Sequence, residues 1–282
     1  MPQITNDLLK NGIEANNTDR FRRENVILLP NEGSLIVTGD IHGHRRNFER
    51  IVAYADLTAN PDRHVVFQEI IHGGPEDQDG GCLSYRLLLD VIRYKLSFPR
   101  NVHLIMGNHD TAFINNTEVM KNGKEMNRAM RAAMERQFPG KSEKIVLTMQ
   151  QFLFSQPLVV KCANRIWVSH SLPADNLLDK FDPEIINRRL NISDIVRPGS
   201  AYLLTWGRRH SKALLDKMAE VFDVDTFILG HQPQEQGWSK LASNLIILAS
   251  DHDHGCLLPI DLSRPYSIDE LVKNIVPLAS IA

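Results

Sequence analysis

Leu35-Ile36-Val37-Thr38-Gly39-Asp40-Ile41-His42-Gly43 is the stretch whose reading decides the fold. Three aliphatic residues in a row, two of them β-branched, read as a strand buried on both faces, and the run stops at Gly39-Asp40. Phe48, Ile51, Val52 and Ala55 then recur at i, i+3, i+4 and i+7, which is one face of an amphipathic helix. The alternation repeats. Residues 64–71 form a second apolar run ending in a Gly-rich loop over 73–81, and Tyr85, Leu88, Leu89, Ile92 and Leu96 again keep helical spacing. Residues 101–106 form a third run ending at Gly107-Asn108. Strand, helix, strand, helix, strand is the pattern of an α/β fold, with the helices as crossovers between parallel strands.

Downstream, residues 111–154 read as mostly helical, with Met126, Met130, Ala133 and Met134 sharing a face as core or lid packing. Residues 158–169 read as a hairpin turning near Ala163-Asn164, and a loop-rich stretch punctuated by Pro173, Pro183 and Pro198 follows. Leu214, Leu215, Met218, Val221 and Phe222 mark another amphipathic helix, and residues 226–229, 245–249 and 256–260 read as late strands. The polar stretch 1–32, with its Arg20, Arg22 and Arg23, reads as an irregular arm or short helix ahead of one domain over 33–282. No repeat or linker divides that domain.

Composition excludes more than it names. In 282 residues, 43% hydrophobic and 23% charged, there is ample chain for a full core and no sign of disorder. A net charge of −2 argues against a nucleic-acid footprint. Three scattered cysteines make no disulfide framework, and Cys82 and Cys162 read as buried and inert. No apolar run reaches the roughly 18 residues of a membrane helix, and the N-terminus lacks the apolar core of a signal peptide. A soluble, cytoplasmic protein is the expectation; oligomeric state is left open.

The chemistry sits where the strands end. Asp40, His42, Glu69, Asn108, His109, His170 and His231 come from five separate segments, each within a few residues of a predicted strand terminus. In open α/β sheets the carboxyl ends of strands are where sites form. One histidine after a strand is ordinarily a satisfied rim residue; seven ionisable or amide groups together are costly to bury unless they hold a metal or one another.

The strings Gly39-Asp40-Ile41-His42-Gly43, Gly107-Asn108-His109-Asp110 and Gly230-His231-Gln232, each after a β-run, resemble the calcineurin-like metallophosphoesterase superfamily, and within it the PPP-type serine/threonine phosphatases and their bacterial relatives. Ser169-His170-Ser171-Leu172-Pro173 resembles that family's His-Gly-Gly string, so the likeness runs from about residue 35 to 260. It implies a two-layer mixed β sandwich flanked by helices, with two divalent or trivalent metal ions (Mn, Fe or Zn) along one edge. Asp40 and His42 would hold the first ion. Asn108, His170 and His231 would hold the second, a carboxylate would bridge them, and His109 would protonate the leaving group. Carboxylate, imidazole and amide donors without thiolate suit such ions, and a metal pair can activate a bridging hydroxide for in-line attack.

The second motif of the family, G-D-x-x-D-R-G, is altered. Gln68-Glu69-Ile70-Ile71-His72-Gly73-Gly74 stands opposite it, which makes Glu69 the bridging carboxylate, His72 the replacement for the second Asp, and Gly73 the replacement for the phosphate-clamping Arg. Glu69 can bridge only with a shifted backbone or a different metal spacing. Arg208 and Arg209, after Trp206-Gly207, are the first choice for a substitute clamp and Arg86 the second; Arg45 and Arg46 should point outward, and surface exposure is the alternative for all five. The acidic loop 73–81 is either a surface turn or a source of the missing carboxylate near His109. Asp251, His252, Asp253 and His254 read as a polar loop on the same rim, with metal ligation as the alternative. Trp167, Trp206 and Trp238 read as packing. The expected activity is metal-dependent hydrolysis of a phosphate monoester in a phosphorylated protein or a small phosphate ester. A nucleotide or dinucleoside polyphosphate hydrolase and a catalytically weak phospho-binding scaffold are the alternatives.

Overall fold

The computed structural model describes residues 2–121 and 123–281. Two sheets face each other. One has strand Ser34–Asp40 beside the parallel strands Arg63–Gln68 and Val102–Ile105, with Cys256–Asp261 antiparallel on its other side. The other carries Val26–Leu29 parallel to Val159–Cys162, an antiparallel step to Ile166–Ser169, and then Thr226–Leu229 and Leu245–Leu248 in parallel.

Period-two alternation decides which residues face between the sheets. Leu35, Val37, Val66 and Ile105 meet Val160, Val168, Ile228 and Ile246 in the interior of the sandwich. Ile36, Val65, Phe67 and Leu104 instead face outward, where the helices Arg45–Ala55, Ser84–Ser97, Met126–Gln137 and Ser142–Phe154 cover them. Trp167, Phe227 and Leu229 face the opposite layer, under the helices Ser200–Trp206 and Lys212–Phe222. Met126, Met130, Ala133 and Met134 are all core residues. The architecture is the two-layer mixed β sandwich flanked by helices that the family resemblance implies.

Several elements differ from the sequence reading. The polar N-terminal stretch contains a 16-residue helix, Pro2–Asn17, and the strand Val26–Leu29 completes a side of the larger sheet. Its polar character hid this, because the buried face of the helix relies on paired polar groups: Asn16 donates to Ser155 Oγ (2.9 Å), and Thr148 Oγ1 donates to Asn6 Oδ1 (2.6 Å). The run 64–71 ends as a strand at Gln68, because Glu69 turns into the left-handed region at φ 48°. Strand Trp238–Leu241 and helix Ile268–Lys273 carry too little apolar periodicity to be seen in sequence.

The two sheets are spliced at one edge. Strand Ser34–Asp40 is irregular between Val37 and Asp40, and Asp40 forms a bridge to Ala249 of the opposite sheet. The chain segments leaving five strands therefore converge on this edge.

Candidate metal centre and active site

Sharp backbone turns put the side chains over the edge of the sandwich. His42 (φ 43°), Glu69 (48°), His72 (83°) and His231 (67°) all lie in the left-handed region, a conformation that non-glycine residues rarely hold and that gathers at functional sites. Backbone bonds lock the loops together: the amides of Ile41 and His42 donate to Glu69 O (3.1 and 2.9 Å), and Gly230 N–H donates to His170 O (3.1 Å).

The result is a buried knot of ligand atoms. One atom each from Asp40, Glu69 and His170 lies within 4.8 Å of the other two. Asn108 Oδ1 faces His170 Nε2 at 2.8 Å and His231 Nδ1 at 2.9 Å, and the His231 amide donates to Asp40 Oδ1 (2.9 Å). His42 Nε2 lies 3.6 Å from Asp40 Oδ2. The structure thus brings Asp40, His42, Glu69, Asn108, His170 and His231 together.

Hydrogen bonds on the far side of two rings reveal what the near side is for. Gln68 Nε2 donates to Thr38 O (2.8 Å), so its Oε1 is the atom facing His170 Nδ1 at 2.8 Å and must accept a proton from it. His42 Nδ1 is likewise 3.2 Å from the Ile71 carbonyl. Each ring therefore turns an unprotonated Nε2 into the knot, the arrangement of metal-binding imidazoles. His170 Nε2 also approaches Glu69 Oε2 at 2.8 Å, and that oxygen takes no hydrogen bond of regular geometry. Lone pairs on nitrogen, amide oxygen and carboxylate oxygen are aimed at one another, and a cation between them is what resolves that arrangement. The residues fit a metal centre.

Glu69 reaches into the knot because its surroundings make room. Its Oε1 accepts the His109 amide proton (3.0 Å), and a Cβ at position 107 would stand 2.7 Å from Oε2, so Gly107 is needed for the longer carboxylate to fit. Burial, then the charge of Asp40, push the Glu69 carboxyl up to about 8. Asp110, absent from the sequence reading of the site, is lifted to about 8 by burial and then by Glu69, and its Oδ2 accepts from Gly107 N–H (2.9 Å) and Gln156 Nε2 (3.2 Å).

His109 stands beside this knot. Its ring lies against that of His72, with centroids 3.8 Å apart and planes tilted by 35°, and meets His42 edge-on at 5.2 Å. Burial first, then the neighbouring imidazoles, hold His109 well below the usual histidine range, and burial carries His72 down to about 3. Neither His109 Nδ1 nor either nitrogen of His72 has a hydrogen-bond partner among the described residues. The acidic loop supplies no carboxylate here, since Asp77 takes Arg136 (2.6 Å) and Glu76 takes Lys124 (2.8 Å).

Of the arginines, Arg208 reaches the rim, where Nη1 donates to His231 O (3.2 Å), and its charge helps to depress His170 and His231 after burial has done so. Arg209 is exposed beside it. Arg86 donates to Gln137 Oε1 (2.8 Å) and lines a separate cavity of about 430 Å³ with Ile4, Tyr85 and Phe138. In the 251–254 loop, His252 Nε2 is spent on Gln234 O (2.9 Å). Trp206 meets His231 edge-on at 6.5 Å and donates to Thr111 Oγ1 (3.0 Å), so it packs against the site. Gln68 and Asp110 were missed as site residues, although each directly adjoins a motif residue.

The sequence model of one family, the calcineurin-like phosphoesterases, matches residues 33–235. The chain belongs to that family. Among relatives, this chain is 23% identical over 168 residues to a probable serine/threonine-protein phosphatase of Encephalitozoon cuniculi, covering 59% of this chain and 32% of that one. It is 20% identical over 239 residues to a serine/threonine-protein phosphatase of Caenorhabditis elegans, covering 79% and 48%. The chain thus spans half or less of the length of either relative. Among solved structures, a Saccharomyces cerevisiae protein serine/threonine phosphatase with similarity to human phosphatase PP5 superposes with a TM-score of 0.67 at 13% identity, over 99% of this chain and 93% of that one. A cold-active protein-tyrosine phosphatase of Shewanella gives 0.59 at 14% identity, over 87% and 80%. These likenesses confirm the fold. Among the described residues no helix is long and apolar enough to cross a membrane.

Proposed function

We propose that this phosphoesterase hydrolyses phosphate monoesters, with Asp40, His42, Glu69, Asn108, His170 and His231 holding two metal ions and His109 acting as general acid. The convergence of His170 Nε2, Asn108 Oδ1 and Glu69 Oε2 carries the reading, since three acceptor atoms so close together belong to a cation site. When bound, the ions would supply Lewis acidity that neutralises phosphoryl oxygens and acidifies water.

The protein's own groups do the rest. Gln68 and the Ile71 carbonyl hold His170 and His42 in the tautomer that leaves Nε2 free. The His109 amide is fixed on Glu69, which places the ring at the edge of the knot without using either of its nitrogens. A phosphoryl dianion in the knot would oppose the burial that keeps His109 neutral, and the imidazolium so favoured would protonate a departing alkoxide. Arg208, whose Nη1 reaches the His231 carbonyl, would donate paired hydrogen bonds to a phosphoryl group, with Arg209 next to it in sequence. A phosphorylated protein or a small phosphate ester fits this chemistry.

Elemental analysis of the purified protein, followed by p-nitrophenyl phosphate hydrolysis before and after chelation, tests the reading. Stoichiometric metal and chelator-sensitive turnover are expected. Metal-free protein that hydrolyses nothing after Mn, Fe or Zn is restored would overturn it. A panel of phosphopeptides and nucleotides then assigns the substrate.

A further inference from the structure

Gly73 occupies a place where no side chain can stand. Its φ is 131°, and a Cβ there would lie 2.9 Å from the His42 carbonyl oxygen. The same point in space is 3.3 Å from Lys121 Nζ and 3.4 Å from His42 Cβ. Lys121 lies on the short hairpin of Met120–Lys121 and Lys124–Glu125, far along the chain, and its ammonium folds over the Gly73 loop at the rim of the metal centre. It is close enough to His72, the ring lying against His109, to act on it electrostatically.

The cations around it are occupied. Lys124 binds Glu76 (2.8 Å), Arg128 binds Glu125 (3.2 Å) and Arg136 binds Asp77 (2.6 Å). The Lys121 side chain is exposed, and its ammonium has no hydrogen bond or ion pair among the described residues. An exposed ammonium that no carboxylate holds, folded over the loop at the rim of the knot, is free to meet an incoming anion. A phosphoryl dianion at the metal centre is such an anion, and it gains from each further charged donor at the rim.

We propose that Lys121 binds the phosphoryl group of the substrate, delivering from the hairpin the positive charge that position 73 cannot carry. The inference rests on the phosphoesterase reading above and assigns a residue to its phosphate site.

The test is calorimetric binding of inorganic phosphate to the metal-loaded protein, with metal content measured in parallel. Lys121→Met should weaken phosphate binding about tenfold, the share of one charge-assisted hydrogen bond. Lys121→Arg should stay within about twofold of the parent because it keeps the charge and a donor. Lys124→Met should change nothing, since Lys124 is held by Glu76. Equal binding by the parent and Lys121→Met overturns the inference, as does equal weakening in both methionine variants, which would mark diffuse charge. No phosphate binding by the parent at millimolar concentration also overturns it. Hydrolysis is read separately: a parent that binds phosphate through Lys121 but cleaves no ester contradicts the proposed activity and leaves the binding role intact.

Discussion

The protein buries two clusters of histidine and carboxylate, and they are built on opposite principles. In one, Asp19 Oδ2 meets His103 Nδ1 at 3.0 Å and Lys95 Nζ at 3.6 Å, His103 Nε2 meets His64 Nδ1 at 3.1 Å, and Lys95 donates to Val102 O at 2.9 Å. Among the described residues no side-chain atom of those four is orphaned. In the other, around Asp40, Glu69 and His170, acceptors face acceptors and Glu69 Oε2 takes no regular hydrogen bond. Burial alone does not mark a functional site; an unresolved polar balance does. The first cluster ties the N-terminal segment to the smaller sheet. The second is resolved by a proton on Glu69 or, in the reading proposed above, by cations that displace it.

The largest effect expected from that contrast falls on the second cluster. Asn108→Ala and His231→Ala should lose bound metal and drop turnover on the order of 10⁴-fold, because a metal contributes several kcal/mol to a phosphoryl transition state. Metal-free variants should unfold at somewhat lower temperature than the metal-free parent, because each truncation removes the Asn108–His231 bond and leaves a cavity, but that loss is small beside the loss of activity. Unchanged metal content and activity would break the contrast outright.

His109 comes next. His109→Ala should slow an alkyl phosphate by about 10²–10⁴-fold and an activated aryl phosphate far less, because a phenolate departs without a proton. Equal losses on both substrates would remove His109 from the role of acid.

The satisfied cluster should answer in stability. Asp19→Ala strands Lys95 in the core and should cost about 3 kcal/mol or more in urea unfolding while kcat is retained. Burial alone would raise the Asp19 carboxyl, but the His103 hydrogen bond and the charges of His103 and Lys95 carry it below its ordinary value. A carboxyl depressed on folding stabilises fully above its unfolded pKa, near ~4, and loses that contribution as pH falls through the folded value. The parent's unfolding free energy should therefore decline below about pH 4, and Asp19→Asn should flatten that decline. Activity loss in Asp19→Ala with undiminished stability would mean that the two clusters are not separable.

The second cluster was legible in sequence and the first was not, for a physical reason. Asp40, His42, Asn108 and His231 sit where an apolar run stops at glycine, and that punctuation survives in one dimension. Asp19, His64, Lys95 and His103 lie inside ordinary segments and meet only through the fold. The altered second motif shows the same limit. Glu69 was found by its register with the strand, but the space that admits it comes from Gly107, on another strand end. Lys121 escaped because two-residue strands have no hydrophobic period, although Asn122-Gly123 between Lys121 and Lys124 is a turn signal.

The smallest effect tests how the metal centre borrows order from its neighbours. Gln68 spans the edge of the sheet: its amide nitrogen is tied to Thr38 O, and its oxygen receives the His170 Nδ1 proton. Gln68→Leu keeps the bulk and deletes both bonds, leaving His170 free to carry its proton on Nε2, where a cation cannot bind. Metal affinity should fall about 10- to 100-fold, the range for removing a group that orients a ligating imidazole. Saturating metal should then restore turnover, which distinguishes weakened loading from damaged chemistry. His103 has the same pair of ring contacts with a protein group at each end, so His64→Leu should leave metal affinity untouched. Undiminished affinity in Gln68→Leu would mean that packing alone orients His170, and that the two histidine chains differ only in where they end.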